Sequence, residues 1–341
     1  MNEIDALVRP NILALSPYST ARDEFKGQAD VFIDANESPF PNGWNRYPDP
    51  RQKALKARIS AIKGIGAERI FIGNGSDEAI DVLMRVFCTP GLDEIVSIAP
   101  SYGMYRVAAD INDLPFKEVP LGEGFRLEPR KLIAACSERT KLLFLCSPNN
   151  PSGNAFPAAD ILSVAEAFSG ITVVDEAYID FSSRPSLLPQ LDAHPRLVVL
   201  QTLSKARGLA ALRVGLAFAS PRIIELMSRV KYPYNINAAA QKLAMEALEE
   251  PIDTQVATIL AQRDRLMQEL PRFPFVRKVW PSDANFLLVE VDDADAAYGH
   301  LIGDGIIVRN RNRVKGCSGC LRITVGLPEE NDRLLKSLSE L

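Results

Sequence analysis

A lysine set among small hydroxyl residues, Thr202-Leu-Ser-Lys205, can act as an amine nucleophile or as a base once its ammonium has lost a proton. Upstream, the apolar run Val173-Val-Asp175 ends in a carboxylate, with Glu176 beside it and Tyr178 three residues beyond. Neighbouring residues of an extended chain point apart, so Asp175 and Glu176 make a poor acid/base pair. Gly73-Asn-Gly-Ser-Asp77 leaves one apolar run and opens a helical pattern. Its backbone N–H groups and helix dipole can hold a phosphate, although the loop taken alone is better read with Ser76 or Asp77 as a simple N-cap. Ser147-Pro-Asn-Asn-Pro-Ser-Gly153 strings turn formers after another apolar run and exposes an amide side chain. Arg309 and Arg322 can form a bidentate anion clamp or ordinary surface pairs.

Such residues are useful only if strand ends bring them together, and the pattern supplies the strands. Apolar runs at 70–73, 94–99, 116–120, 141–146, 171–175, 197–201 and 214–219 predict seven strands, beginning with a helix over 77–87 after the first. Several are continuous rather than alternating, as expected for a mostly parallel sheet covered on both faces. Open sheets of this kind place ligands at the carboxyl ends of their strands. Helical patterns at 223–229, 238–249 and 254–270, then strands at 286–291, 306–308 and 321–325, predict a smaller α+β domain. The expected division is an arm over 1–30, a large domain over 31–230 and a small domain over 231–341.

Bulk properties narrow the partners. A net charge of −4 and the absence of a Lys/Arg block leave no footprint for nucleic acid or an anionic membrane, which points to small-molecule substrates. The opening residues have no apolar signal segment, and the odd count of 5 cysteines fits reduced thiols, so a cytoplasmic protein without disulfides is expected. Cys317-Ser-Gly-Cys320 has neither a second pair nor a nearby His to make a metal site, and reads as a turn. With only His194 and His300 available, a His-based triad or metal centre is not expected, and no Walker A or G-x-G-x-x-G sequence follows the first strand.

Taken in order, the Asn-Pro-x-Gly turn, the Asp-x-x-Tyr strand end and the Ser/Thr-x-x-Lys loop resemble the fold-type I pyridoxal 5′-phosphate (PLP) aminotransferases. The histidinol-phosphate aminotransferase family resembles the chain most closely, through Asn36-Glu-Ser-Pro39, Tyr47-Pro-Asp-Pro50, Gly73-Asn-Gly-Ser-Asp-Glu78, Ser101-Tyr-Gly-Met104, Pro233-Tyr-Asn235, Ala284-Asn-Phe286 and Leu321-Arg-Ile-Thr324. The resemblance implies an α/β fold-type I transferase in which Lys205 anchors PLP, Asp175 pairs its pyridine nitrogen, and Asn150 and Tyr178 hydrogen-bond its phenolic oxygen. It implies that Tyr102 stacks on the ring and that Ser76, Asp77, Thr202, Ser204 and Arg213 hold the phosphate. Tyr47 would reach that phosphate from a neighbouring subunit, implying a homodimer with shared sites. Tyr18, Arg309 and Arg322 match the positions that bind substrate anions, histidinol phosphate on one side and glutamate or 2-oxoglutarate on the other. Arg207 and Ala211 depart from the family, which usually has an aromatic residue and a glycine there. A reshaped pocket wall would suit an aromatic-amino-acid aminotransferase, and a threonine-phosphate decarboxylase shares much of the same pattern.

Overall fold

The computed structural model describes residues 3–341 apart from residues 26 and 28. Its larger sheet comprises β1 (Ile70–Asn74), β2 (Glu94–Ala99), β3 (Phe116–Pro120), β4 (Thr140–Cys146), β5 (Ile171–Asp175), β6 (Leu197–Thr202) and β7 (Val214–Phe218). They lie in the order β1-β7-β6-β5-β4-β2-β3. Only β7 runs against the others, pairing antiparallel with both β1 and β6. Two reversals restore direction, so β1 ends on the same edge as β4, β5 and β6.

Alternate residues of these strands feed two cores. Phe71, Ile95, Phe144, Val173 and Leu200 pack on one face with the helix Ser76–Phe87, whose Ala79, Ile80, Leu83, Met84 and Phe87 recur at helical spacing. Ile72, Val96, Leu145, Val174 and Val199 pack on the other, together with Ile236, Ala240, Ala244 and Leu248 from the helix Ala238–Ala247 and its flanks. The arm joins the first core through buried Ile4, Val8 and Ile12.

The smaller sheet holds β8 (Val276–Val279), β9 (Phe286–Val291), β10 (Arg309–Asn310) and β11 (Cys320–Thr324), in the order β10-β11-β9-β8 and wholly antiparallel. Leu287, Val289, Leu321 and Ile323 turn toward the helices Asp253–Glu269, Ala294–Gly303 and Pro328–Leu338. Leu288, Cys320 and Phe286 occupy the opposite face; Phe286 meets Tyr178, Phe181 and Ala206, which ties the two sheets together. The expected strand at 306–308 is a correction: pairing begins only at Arg309, because Gly305 turns in the left-handed region and Ile307 faces solvent. Strand β8 went unpredicted because it is a short edge whose Arg277 and Lys278 are exposed, a charge pattern that protects an edge and hides it from an apolar count.

Candidate active site

The carboxyl ends of β4, β5 and β6, with the loop after β1, enclose a cavity of about 150 Å³ lined by Ser76, Asp77, Tyr102, Asn150, Asp175, Tyr178, Thr202, Ser204, Lys205 and Arg213, among others. Ten of the residues singled out from sequence thus meet in one place. A larger cleft of about 710 Å³, between Ile62 and Gln201, holds none of them, and its Lys63 and Arg69 are paired with Asp180 and Asp192.

Asp175 ends β5 on the cavity floor, 3% exposed. Its Oδ2 accepts from the Tyr105 hydroxyl at 2.8 Å and its Oδ1 from the Ala177 N–H at 3.0 Å. Burial raises its pKa from 3.8 to about 6, against those two hydrogen bonds, with nearby Asp77 pushing up and Lys205 pushing down. The carboxylate therefore lacks a full complement of positive charge, and a cationic ring nitrogen would supply it. Tyr105 was not legible as a site residue. It stacks on Phe144, with centroids 4.8 Å apart, and burial holds its phenol well above the usual tyrosine range, so it remains a donor.

A testable cost follows. A carboxyl whose folded pKa lies above its unfolded value destabilises the folded state as pH rises through the folded pKa. A gap of about two units corresponds to roughly 3 kcal/mol at full ionisation. We expect cofactor-free Asp175→Asn to melt above the cofactor-free parent at about pH 8, with the gain vanishing toward about pH 4. Thermal melts across that range check this, and an equal gain at both ends would contradict it.

Lys205 opens to solvent at the mouth of the cavity, yet enough protein surrounds it for burial, and then Arg322, to lower its pKa; Asp175 and Asp77 oppose them. A lowered pKa enlarges the free-amine fraction that nucleophilic attack or proton abstraction requires. Its Nζ lies 5.5 Å from the Tyr178 ring centroid. The Tyr178 ring is set edge-on to Phe286, and burial keeps its phenol protonated. Asn150 Nδ2 donates to the Tyr178 hydroxyl at 3.4 Å, while Asn150 Oδ1 accepts from Arg322 Nη1 at 2.6 Å.

Beside Lys205 the walls form an anion cradle. Ser76 and Asp77 open the helix Ser76–Phe87, where N–H groups and dipole favour negative charge. The cradle depends on two glycines: a Cβ on Gly75 would lie 2.5 Å from Arg213 Nη2, and one on Gly215 would lie 2.0 Å from Ser76 N. Thr202 Oγ1 donates to Ser204 Oγ at 3.0 Å, Tyr102 donates to Asp77 at 3.1 Å, and Arg213 approaches Asp77 at 3.8 Å. The set matches what PLP requires: an amine, a carboxylate on the floor, two donors on one side and a cradle on the other.

Arg309 and Arg322 face each other directly across β10 and β11, on the sheet face turned toward Asn150. Tyr18 and Tyr47 fall outside the cavity. Tyr18 is 74% exposed in a separate cleft with Pro50 and Lys56, and Tyr47 stacks on Tyr234 with centroids 4.4 Å apart. Arg207 turns away as well, donating to the Glu250 carbonyl at 2.7 Å, and exposed Ala211 does not line the cavity. The expectation that this pair reshapes the pocket wall is corrected accordingly. Cys317 and Cys320 are buried free thiols, pushed up to about 11 and about 12 by burial, which leaves neither reactive.

The sequence profile of the aminotransferase class I and II family matches residues 19–338. The histidinol-phosphate aminotransferase of Parabacteroides distasonis is 52% identical over 343 residues, covering 100% of this chain and 99% of its own length. Among solved structures, the histidinol-phosphate aminotransferase from Clostridium acetobutylicum superposes with a TM-score of 0.80 at 22% identity, over 86% of this chain and 90% of that one. That from Sinorhizobium meliloti, in complex with pyridoxal-5′-phosphate, also gives 0.80, at 24% identity, over 86% and 82%. The latter two establish likeness of fold.

Proposed function

We propose that this chain, which belongs to the aminotransferase class I and II family, uses PLP to interconvert L-histidinol phosphate plus 2-oxoglutarate and imidazole acetol phosphate plus L-glutamate. The observation that carries the reading is the continuity from Lys205, through the Tyr178–Asn150 pair, to Arg322 and Arg309. An amine able to move a proton sits one short chain of contacts from a cationic face suited to a phosphate ester or a carboxylate. The 52% identity to a histidinol-phosphate aminotransferase along the entire chain supports the same substrate.

In this reading PLP, when bound, supplies an electron sink for the pair left behind when the substrate Cα proton departs. The protein does the positioning and the proton transfer. Lys205 Nζ would hold the cofactor between turnovers and, as a free amine, would carry the substrate Cα proton. Asp175, itself held by the Tyr105 hydroxyl and the Ala177 N–H, would keep the pyridine nitrogen protonated. Asn150 and Tyr178 would donate to the phenolic oxygen, Tyr102 would pack on the ring, and Ser76, Asp77, Thr202, Ser204 and Arg213 would hold the phosphate. Arg309 and Arg322 take the substrate anion, the phosphate in one half-reaction and a glutamate carboxylate in the other.

Because Tyr18 and Tyr47 lie outside their own cavity, their roles require a second copy of the chain, and we propose a homodimer with shared sites. The segment bearing Tyr47 supports this: Val31, Ile33, Phe40 and Trp44 are all exposed, a concentration of apolar surface typical of an interface. The free cysteines fit a reducing, cytoplasmic setting. The chain would work as an arm, a large cofactor domain and a small domain. Packing of the helix Ala238–Ala247 on the larger sheet argues for moving the join from residue 230 to about Pro251.

Single-turnover spectra of the PLP form test the substrate. Histidinol phosphate is expected to convert it to the pyridoxamine form far faster than phenylalanine or threonine phosphate. Conversion by phenylalanine at an equal or greater rate, or release of carbon dioxide from threonine phosphate, would overturn the assignment.

A further inference from the structure

Arg309-Asn-Arg-Asn312 places a third arginine beside the pair already described. Arg311 extends β10 by one residue, its N–H donating to the Cys320 carbonyl at 2.8 Å. Side chains alternate across a strand, so Arg311 shares a face with Arg309, and across the ladder with Cys320 and Arg322. The alternating asparagines are pinned on the other side: Asn310 Nδ2 and Asn312 Nδ2 each donate to Asp295, at 2.6 and 3.0 Å. That clamp fixes the register that sends all three guanidinium groups to one side.

Among the described residues nothing acidic pairs with them there. Among the described residues Arg309 and Arg311 have no ion pair or side-chain hydrogen bond, and Arg322 has only the neutral oxygen of Asn150. The Nε atoms of both Arg311 and Arg322 are buried without a partner. Glu290, the carboxylate on this face nearest in the ladder, stands opposite Cys320 on β9, two strands from Arg311. Lys278 lies beyond it on β8. Other arginines of the chain also bury an unpartnered Nε, but here three guanidinium groups share one face, and that concentration of like charge is costly unless an anion joins it.

We propose that Arg311 is a specificity-determining residue: the third arm of an anion clamp that, with Arg309 and Arg322, favours a phosphate dianion over a carboxylate. The inference rests on the proposed histidinol phosphate reading for its natural substrate, though not for its chemistry. A carboxylate saturates one bidentate guanidinium. A phosphate presents three terminal oxygens and nearly twice the charge, so a third fork adds more to the phosphate ester than to glutamate. Arg311 is not placed at the reacting atoms, and its effect should fall on substrate affinity rather than on proton transfer.

The test uses the PLP-loaded enzyme and its Arg311→Gln and Arg311→Lys variants, with inorganic phosphate as probe against chloride at equal ionic strength. For Arg311→Gln we expect the KM for histidinol phosphate and the inhibition constant of phosphate to rise about 10- to 100-fold. The rise in KM for glutamate should be about tenfold smaller. Stabilisation of the holoenzyme by phosphate in thermal melts should weaken in parallel. Arg311→Lys should recover part of the loss, since it keeps the charge without the fork. Equal rises for both substrates would make Arg311 merely structural, and unchanged phosphate inhibition in both variants would overturn the proposal. Should Arg311→Gln fail to fold, Arg311→Lys decides alone: about fivefold weaker phosphate inhibition supports the clamp and none refutes it. If the parent enzyme ignores histidinol phosphate while phosphate inhibition still depends on Arg311, the substrate assignment fails and the clamp stands.

Discussion

Replacing Lys205 with alanine is expected to lower turnover by about four orders of magnitude or more and to abolish the visible absorbance of lysine-bound cofactor, while PLP still binds weakly. The loss is large because one atom has two duties. In the proposed mechanism Lys205 Nζ serves as both the covalent tether and the base, and among the described residues no other lysine lines the cavity to take over either. Weak binding survives because the cradle of Ser76, Asp77, Thr202, Ser204 and Arg213 and the floor at Asp175 remain. Steady-state rates with a spectrum of the purified variant check both halves, and full activity would refute the role given to Lys205.

Asp175→Asn is expected to leave the fold intact and lower kcat about a thousandfold. An ion pair at ~4 Å with an effective dielectric of ~20 contributes roughly 4 kcal/mol, about three pKa units at the pyridine nitrogen. Asparagine keeps the shape; its carbonyl can accept from the Ala177 N–H while the Tyr105 hydroxyl turns to accept from the new amide, so loss of the charge is the main change. The same substitution that stabilises the cofactor-free protein near pH 8 thus disables the loaded one. Opposite signs in melting temperature and rate are the signature of a buried carboxylate kept for function at the expense of stability. Near-normal kinetics would mean that another group protonates the ring.

The strands that position these residues were legible because continuous Val, Ile and Leu runs leave little alternative to a doubly covered sheet. Asp175 was readable because such a run stops on a carboxylate, and Lys205 because hydroxyl residues surround it, yet neither signal was specific alone. Lysines at strand ends are commonly solvated; its neighbours in space give this one its meaning, and the motif resemblance supplied them before the fold did. Tyr105 escaped because its contact with Asp175 is purely tertiary: the helix Met104–Ile111 lays the ring against Phe144, and nothing in the spacing from Tyr102 announces it. Arg311 escaped for a related reason. Its strand has two paired residues, too short for periodicity to reveal which side chains share a face. Arg207 and Ala211 mark the converse case, departures in sequence that the fold turns away from the cavity.

If Lys205 is the amine that holds PLP, chemical trapping will find the cofactor on it. Borohydride reduction of the holoenzyme, followed by proteolysis and mass spectrometry of the peptides, should place the cofactor adduct on the peptide containing Lys205 and nowhere else. An adduct on another lysine, or a holoenzyme that releases all its PLP after reduction, would contradict the account.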